Sequence, residues 1–156
     1  MMLVVSDTSP VTALLQIGQA GLLSTLFGRV LIPPAVRDEL LRFHSSLPDY
    51  LGVREIQNRQ IAEMLGRELD RGEAEAIVLA EESRAEHLLI DEKRGRAMAE
   101  ARGLKVIGLL GVLLMAKSAG YIPSVGQLIA ELESRAGFFV SDAVKQIVLT
   151  AAGEGS

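Results

Sequence analysis

The chain has no cysteine, no tryptophan and only two histidines among its 156 residues. Without a thiol there is no disulfide framework, no thiolate zinc centre and no cysteine nucleophile. Aromatic residues make up 4%, so a core must be built from Leu, Ile, Val and Ala. There is no excess of positive charge either, since 16 Lys and Arg stand against 20 Asp and Glu, for a net −4. A module that holds nucleic acid through phosphate contacts alone is normally basic, and this balance argues against one. It does not exclude an enzyme whose metal ions bring the positive charge. The most apolar stretch, 106–122, carries Lys117 and three glycines. It falls short of the roughly 20 apolar residues that a membrane span needs. The opening Met1-Met2-Leu3-Val4-Val5 has no basic leader, so the expectation is a cytoplasmic protein that does not enter a membrane. A Gly-rich phosphate loop, a Ser/His/Asp arrangement and a dinucleotide fingerprint are also missing.

What remains is a chain with 49% hydrophobic and 23% charged residues, enough apolar surface to close a core. Its length suits one domain, expected over 1–152, with a flexible tail at 153–156. Apolar runs bounded by turn residues alternate with helical patterns, which predicts an α/β fold with a mainly parallel sheet of four or five strands. Strands are expected at 2–5, 30–32, 52–56, 87–90 and 105–107. Ser9 is expected to cap the first helix, with Pro10 at its first position. From Ala35, the spacing of Val36, Leu40, Phe43 and Leu47 predicts one apolar helix face. Gly72 reads as a break before a helix over 73–84, and additional helices follow at 109–118, 125–135 and 141–151.

In open α/β sheets, ligands bind beyond the carboxyl ends of the strands. Asp7 follows the first strand, and Asp91 follows the strand that ends at Ile90. Glu39 lies one turn into the helix after Pro33-Pro34, and Glu75 lies in the first turn of the helix opening near Glu73. Four carboxylates from separate parts of the chain can therefore meet at one edge. Packed together they raise one another's pKa, and a hard cation removes the conflict. Oxygen ligands without thiolate select Mg²⁺ or Mn²⁺, which serve phosphodiester hydrolysis by activating water and stabilising the leaving oxygen.

Each acid alone also has a structural role open to it. Asp7 and Asp91 suit helix caps, Glu39 suits a solvated helix face, and Glu73 and Glu75 suit a helix N-terminus. Ser9 could support a carboxylate or a water as well as cap. Lys93, Arg94 and Arg96 could hold RNA phosphates or simply form a solvated face. His44 and His87 stand alone, without ligand spacing.

The motifs, taken in order, resemble those of the PIN-domain family. Val4-Val5-Ser6-Asp7-Thr8-Ser9-Pro10 looks like its opening motif, especially in the small proteins related to VapC toxins. The stretch Val30-Leu31-Ile32-Pro33-Pro34-Ala35-Val36 with Glu39 resembles the second acidic motif. Gly72-Glu73-Ala74-Glu75-Ala76-Ile77 is similar to the third, Leu88-Leu89-Ile90-Asp91-Glu92 to the fourth, and Val106-Ile107-Gly108 with Leu110-Gly111-Val112-Leu113 to the closing glycine motif. The resemblance implies a Rossmann-like PIN fold and a Mg²⁺- or Mn²⁺-dependent ribonuclease acting on single-stranded RNA. It also implies a homodimer and, in toxin–antitoxin pairs, a small antitoxin that blocks the cleft. Carried over by residue, the metal and catalytic acids are Asp7, Glu39, Glu75 and Asp91. Two departures stand out. The subgroup often has paired aspartates where Asp91-Glu92 stands, so Glu92 is an alternative ligand, and often has Thr where Leu109 stands.

Two other classes compete with this reading. A haloacid-dehalogenase-like phosphatase would want an aspartate where Ser9 stands, and a receiver domain needs an aspartate and a lysine on later strands at the same edge, which cannot both be placed. A catalytically degenerate PIN-like protein, acting through protein or RNA binding alone, would keep the fold without the chemistry.

Overall fold

A computed structural model describes residues 2–155. Five short strands form one sheet in the order β3-β2-β1-β4-β5, and every pairing is parallel. The strands are β1 (Val4–Ser6), β2 (Val30–Ile32), β3 (Leu51–Val53), β4 (His87–Leu89) and β5 (Val106–Ile107). Nine helices are described: α1 (Thr8–Gln16), α2 (Leu22–Phe27), α3 (Pro34–Phe43), α4 (Arg59–Leu65), α5 (Arg71–Ser83), α6 (Lys93–Ala101), α7 (Leu109–Ser118), α8 (Val125–Arg135) and α9 (Asp142–Ala151). This is the expected α/β, Rossmann-like architecture, with additional helices at the C-terminal end.

Strand alternation divides the core in two. Val4, Val30, Ile32 and Leu89 point to one face and pack with Val11, Leu14, Val36, Leu40, Leu113 and Ile129. Val5, Leu31, Leu88 and Ile90 point to the other and pack with Ile56, Leu65, Ile77, Leu79 and Ala99. Fully buried Leu and Ile side chains such as Leu14, Ile32, Ile77 and Leu89 each stabilise the fold by about 1.5–3 kcal/mol. The chain turns from the β3 side to the β5 side between β1 and β4, which lie adjacent with Val5 opposite Leu88. That reversal is where an open α/β sheet leaves a crevice at its carboxyl edge.

Several local expectations are corrected. The ladder runs one residue past β1, with the Asp7 N–H donating to the Leu89 carbonyl at 2.9 Å, and α1 starts at once with Thr8. Asp7 therefore holds the N-cap position, and Ser9 lies exposed inside the first turn. Gly72 does not break a helix. It sits in the first turn of α5, whose start is set by Asp70 and Glu73 in a reciprocal capping box. Of the apolar face read for α3, Val36 and Leu40 are buried, but Phe43 is 73% exposed and Leu47 lies beyond the helix end. Glu154, placed by the sequence in a free tail, is docked: its carboxylate accepts from Lys117 Nζ at 2.7 Å and from the Val125 and Gly126 N–H groups at 2.7 and 3.0 Å. It thus supplies an anion to the N-terminus of α8.

Among the described residues, no helix is long and apolar enough to cross a membrane.

Candidate active site

The carboxyl edge of β1 carries Asp7 into a cleft of about 220 Å³ lined by Asp7, Thr8, Ser9, Thr12, Glu39, Phe43, Asp70 and Glu92. Helices α1 and α3 and the N-caps of α5 and α6 bring these residues to one edge. Asp7 is 5% exposed. Burial pushes its carboxyl up to about 8, the hydrogen bond from the Thr8 backbone N–H opposes that, and the charges of Asp70, Glu73 and Glu39 raise it further. Carboxyls perturbed by burial and by neighbouring acids cluster at functional sites.

Three glycines let backbone close on the acids. A Cβ on Gly72 would stand 2.6 Å from Glu39 Oε1 and 3.3 Å from Asp7 Oδ1. These two carboxylates thus converge on the bare first turn of α5. A Cβ on Gly95 would stand 2.8 Å from Glu73 Oε2, and one on Gly108 would stand 2.9 Å from Asp91 Oδ1. Each glycine leaves room for a carboxylate where any larger residue would displace it.

The two glutamates of the third acidic motif are oriented differently. Glu75 does not face the cleft: Oε1 accepts from the Ala35 N–H at 3.0 Å, and Oε2 pairs with Arg71 Nε at 3.2 Å. Both oxygens are satisfied, and Glu75 ties α5 to the N-terminal turn of α3. Glu73 is the buried acid with spare capacity. Its Oε1 accepts from the Asp70 N–H at 3.2 Å, while Oε2 is buried and has no partner. Burial raises its pKa, and the neighbouring charges of Asp70 and Glu92 add to that. The signal that identifies Glu73 was present in the chain, because Asp70-x-x-Glu73 has capping-box spacing and places Glu73 in the first turn.

At the end of β4 the two adjacent acids take different positions. Asp91 turns toward α7, where Oδ1 accepts from the Leu109 N–H at 2.7 Å, and Oδ2 is buried without a partner. Burial raises its pKa, against the Leu109 hydrogen bond and the nearby charge of Arg96. Glu92 lines the cleft with Asp7 and Glu39. The structure therefore lines the cleft with Asp7, Glu39, Asp70 and Glu92, and Glu73 lies close enough for its charge to act on Asp7. It places Asp91 behind them and Glu75 elsewhere. Ser9 lines the cleft. Lys93 and Arg94 are exposed in the first turn of α6, whereas Arg96 is half-buried beside Asp91. His44 is held by Thr12, with Nε2 3.3 Å from Oγ1.

The donor set suits a hard divalent cation: only carboxylate and hydroxyl oxygens, no thiolate, and Glu73 Oε2 buried without a partner. Among the described residues, no three acidic or imidazole groups are already gathered as a ready-made metal site.

The parallel α/β sheet opens at its switch point, where open α/β folds bind ligands, onto a cleft lined by carboxylates. A family model described as a PIN domain matches residues 3–154, nearly the whole described chain. The chain belongs to the PIN-domain family, a nuclease family whose members generally use divalent metal ions. No curated protein and no solved structure matches it.

Proposed function

We propose that the chain is a Mg²⁺- or Mn²⁺-dependent endoribonuclease that hydrolyses phosphodiester bonds of single-stranded RNA, and that it is the toxin of a toxin–antitoxin pair. The observation that carries this reading is Asp7, buried with its carboxyl pushed up to about 8 beside Glu39 and Glu73. Such a group is unfavourable for folding as an isolated anion and becomes favourable against a cation. Asp7, Glu39, Glu73 and Glu92 would hold the ion, and Asp91 would fix the start of α7 behind them.

When bound, a divalent cation supplies a Lewis acid for the phosphodiester and lowers the pKa of water at the site. The residues do the remaining work. Asp7 would release its proton on loading, so loading is favoured as pH rises. Gly72 and Gly95 keep the approach to those carboxylates open. Ser9 is exposed at the mouth, where its hydroxyl would hydrogen-bond a phosphate oxygen, whereas Thr8 Oγ1 is buried behind it. Exposed Lys93 and Arg94 are placed to attract the flanking phosphates. The VapC-like resemblance extends the proposal to a cytoplasmic homodimer blocked by a small antitoxin, and size-exclusion chromatography with a pull-down tests those partners.

The functional test is cleavage of a labelled single-stranded RNA with Mg²⁺, Mn²⁺ or EDTA. Wild type cleaves only with metal, and Asp7→Asn and Glu73→Gln do not. Folded protein that binds metal or RNA but leaves the strand intact would instead mark a degenerate PIN-like protein acting through binding alone.

A further inference from the structure

Phe43 is out of place for a core residue. It follows Val36 and Leu40 on the apolar spacing of α3, yet it is 73% exposed at the last residue of that helix. It also lines the acidic cleft, four residues and so one helical turn after Glu39. Aromatics are scarce here, with four Phe, two Tyr and no Trp in the whole chain. Tyr121 and Phe139 are exposed too, but neither lines this cleft. The position is braced: the next residue, His44, meets Thr12 of α1, and its N–H donates to the Leu40 carbonyl at 2.9 Å. A bare ring is thus held at the mouth of an acid cluster.

We propose that Phe43 is the platform on which a nucleobase of the single-stranded substrate stacks, next to the bond to be cut. The inference rests on the nuclease reading above and adds to it a residue for gripping the strand. Everything else at the mouth is polar or acidic, so Phe43 is the surface there that can take up an aromatic base. Stacking accepts any base and requires it to be unpaired, because a base inside a duplex has both faces covered. Phe43 therefore gives the cleft its preference for single strands without giving it a sequence. It touches no reacting atom and acts by positioning.

The absence of tryptophan makes a direct test possible. Phe43→Trp installs a single indole reporter in the cleft. A single-stranded RNA oligonucleotide is added with Ca²⁺ in place of Mg²⁺, with gels confirming that it stays intact. The indole emission is expected to be quenched saturably. Phe43→Ala is expected to weaken binding and raise KM about tenfold or more, with kcat and the melting temperature little changed, and Phe43→Tyr restores affinity. An oligonucleotide with abasic positions is expected to bind wild type as weakly as Phe43→Ala binds the intact RNA, and the alanine variant should not distinguish the two. The proposal is overturned if wild type binds and cleaves while Phe43→Ala matches it in affinity and KM. It is also overturned if the Phe43→Trp emission shifts with protein concentration alone, which would make the ring a contact between copies of the chain. If wild type neither binds nor cleaves RNA, the nuclease reading itself fails, and the role of Phe43 falls with it.

Discussion

Glu75 Oε1 accepts a hydrogen bond from the backbone N–H of Ala35 at 3.0 Å, across forty residues of sequence. Two positions earlier on the same helix, Glu73 leaves Oε2 buried and unpartnered. Two glutamates separated by one alanine thus face different ways, one joining helices and one opening toward the acids. In α5 a two-residue step is about 200°, which turns neighbouring carboxylates to opposite sides.

Substitutions at this pair are expected to separate stability from activity. Glu75→Ala leaves the Ala35 N–H and Arg71 without their acceptor and should destabilise the fold by about 1–3 kcal/mol. Cleavage per folded molecule should change little. Glu73→Gln should abolish most cleavage while leaving the melting temperature equal or higher. Urea unfolding beside a cleavage assay checks both. Equal loss of activity in both variants would contradict the assignment.

Asp7 predicts a pH dependence of stability. Its carboxyl lies near 3.8 when unfolded and about 8 when folded, through burial and then the charges of Asp70, Glu73 and Glu39. Below about 4 it is protonated in both states. Between about 4 and 8 the unfolded chain ionises first, so the metal-free fold loses stability as pH rises through that window. Asp7→Asn should flatten the slope and melt several degrees higher near pH 8. Mg²⁺ should flatten the slope for wild type. A pH series of thermal melts with and without EDTA checks this, and a wild-type stability that rises from pH 5 to pH 8 without metal would contradict it.

Gly72→Ala separates fold from site in another way. Gly72 lies in the first turn of α5, where alanine is the better helix former by up to about 1 kcal/mol. The added Cβ would stand 2.6 Å from Glu39 Oε1, the movable end of a side chain, so Glu39 would be displaced rather than the helix. The variant is expected to melt no lower than wild type and to lose at least about tenfold in cleavage, since small misplacements at a reacting centre carry large rate penalties.

Glu154 predicts the opposite pH dependence. Lys117, the N–H groups of Gly126 and Val125, and Ser124 hold its carboxylate down at about 2, from an ordinary 4.5. The stabilisation is present above about 4.5 and is lost as pH falls toward 2. Glu154→Gln should lower the melting temperature at pH 7 and make no difference at pH 2, as calorimetry at the two pH values would show.

Much of this was legible in the chain. The strand 30–32 and the helices 109–118 and 125–135 coincide with β2, α7 and α8, because apolar periodicity and clear stops bound them. Asp7 was expected at the carboxyl edge from the end of a strand, and Glu39 from the helix start that follows the next one. What could not be read was rotation. Which way Glu73 and Glu75 face depends on a helix start known to one residue, and that start is set by the Asp70 cap rather than at Gly72. Phe43 fitted the core spacing, but α3 ends there, and spacing does not say where the core stops. The docking of Glu154 depends on Lys117 and the start of α8, contacts across some thirty residues that no local pattern shows.

The most direct test of the account is cleavage of a labelled single-stranded RNA by wild type, Asp7→Asn and Glu73→Gln, each with Mg²⁺, Mn²⁺ or EDTA, with folding verified by thermal melts. The account predicts metal-dependent cleavage by wild type alone. Cleavage that persists in EDTA, or in folded Asp7→Asn and Glu73→Gln, would contradict it.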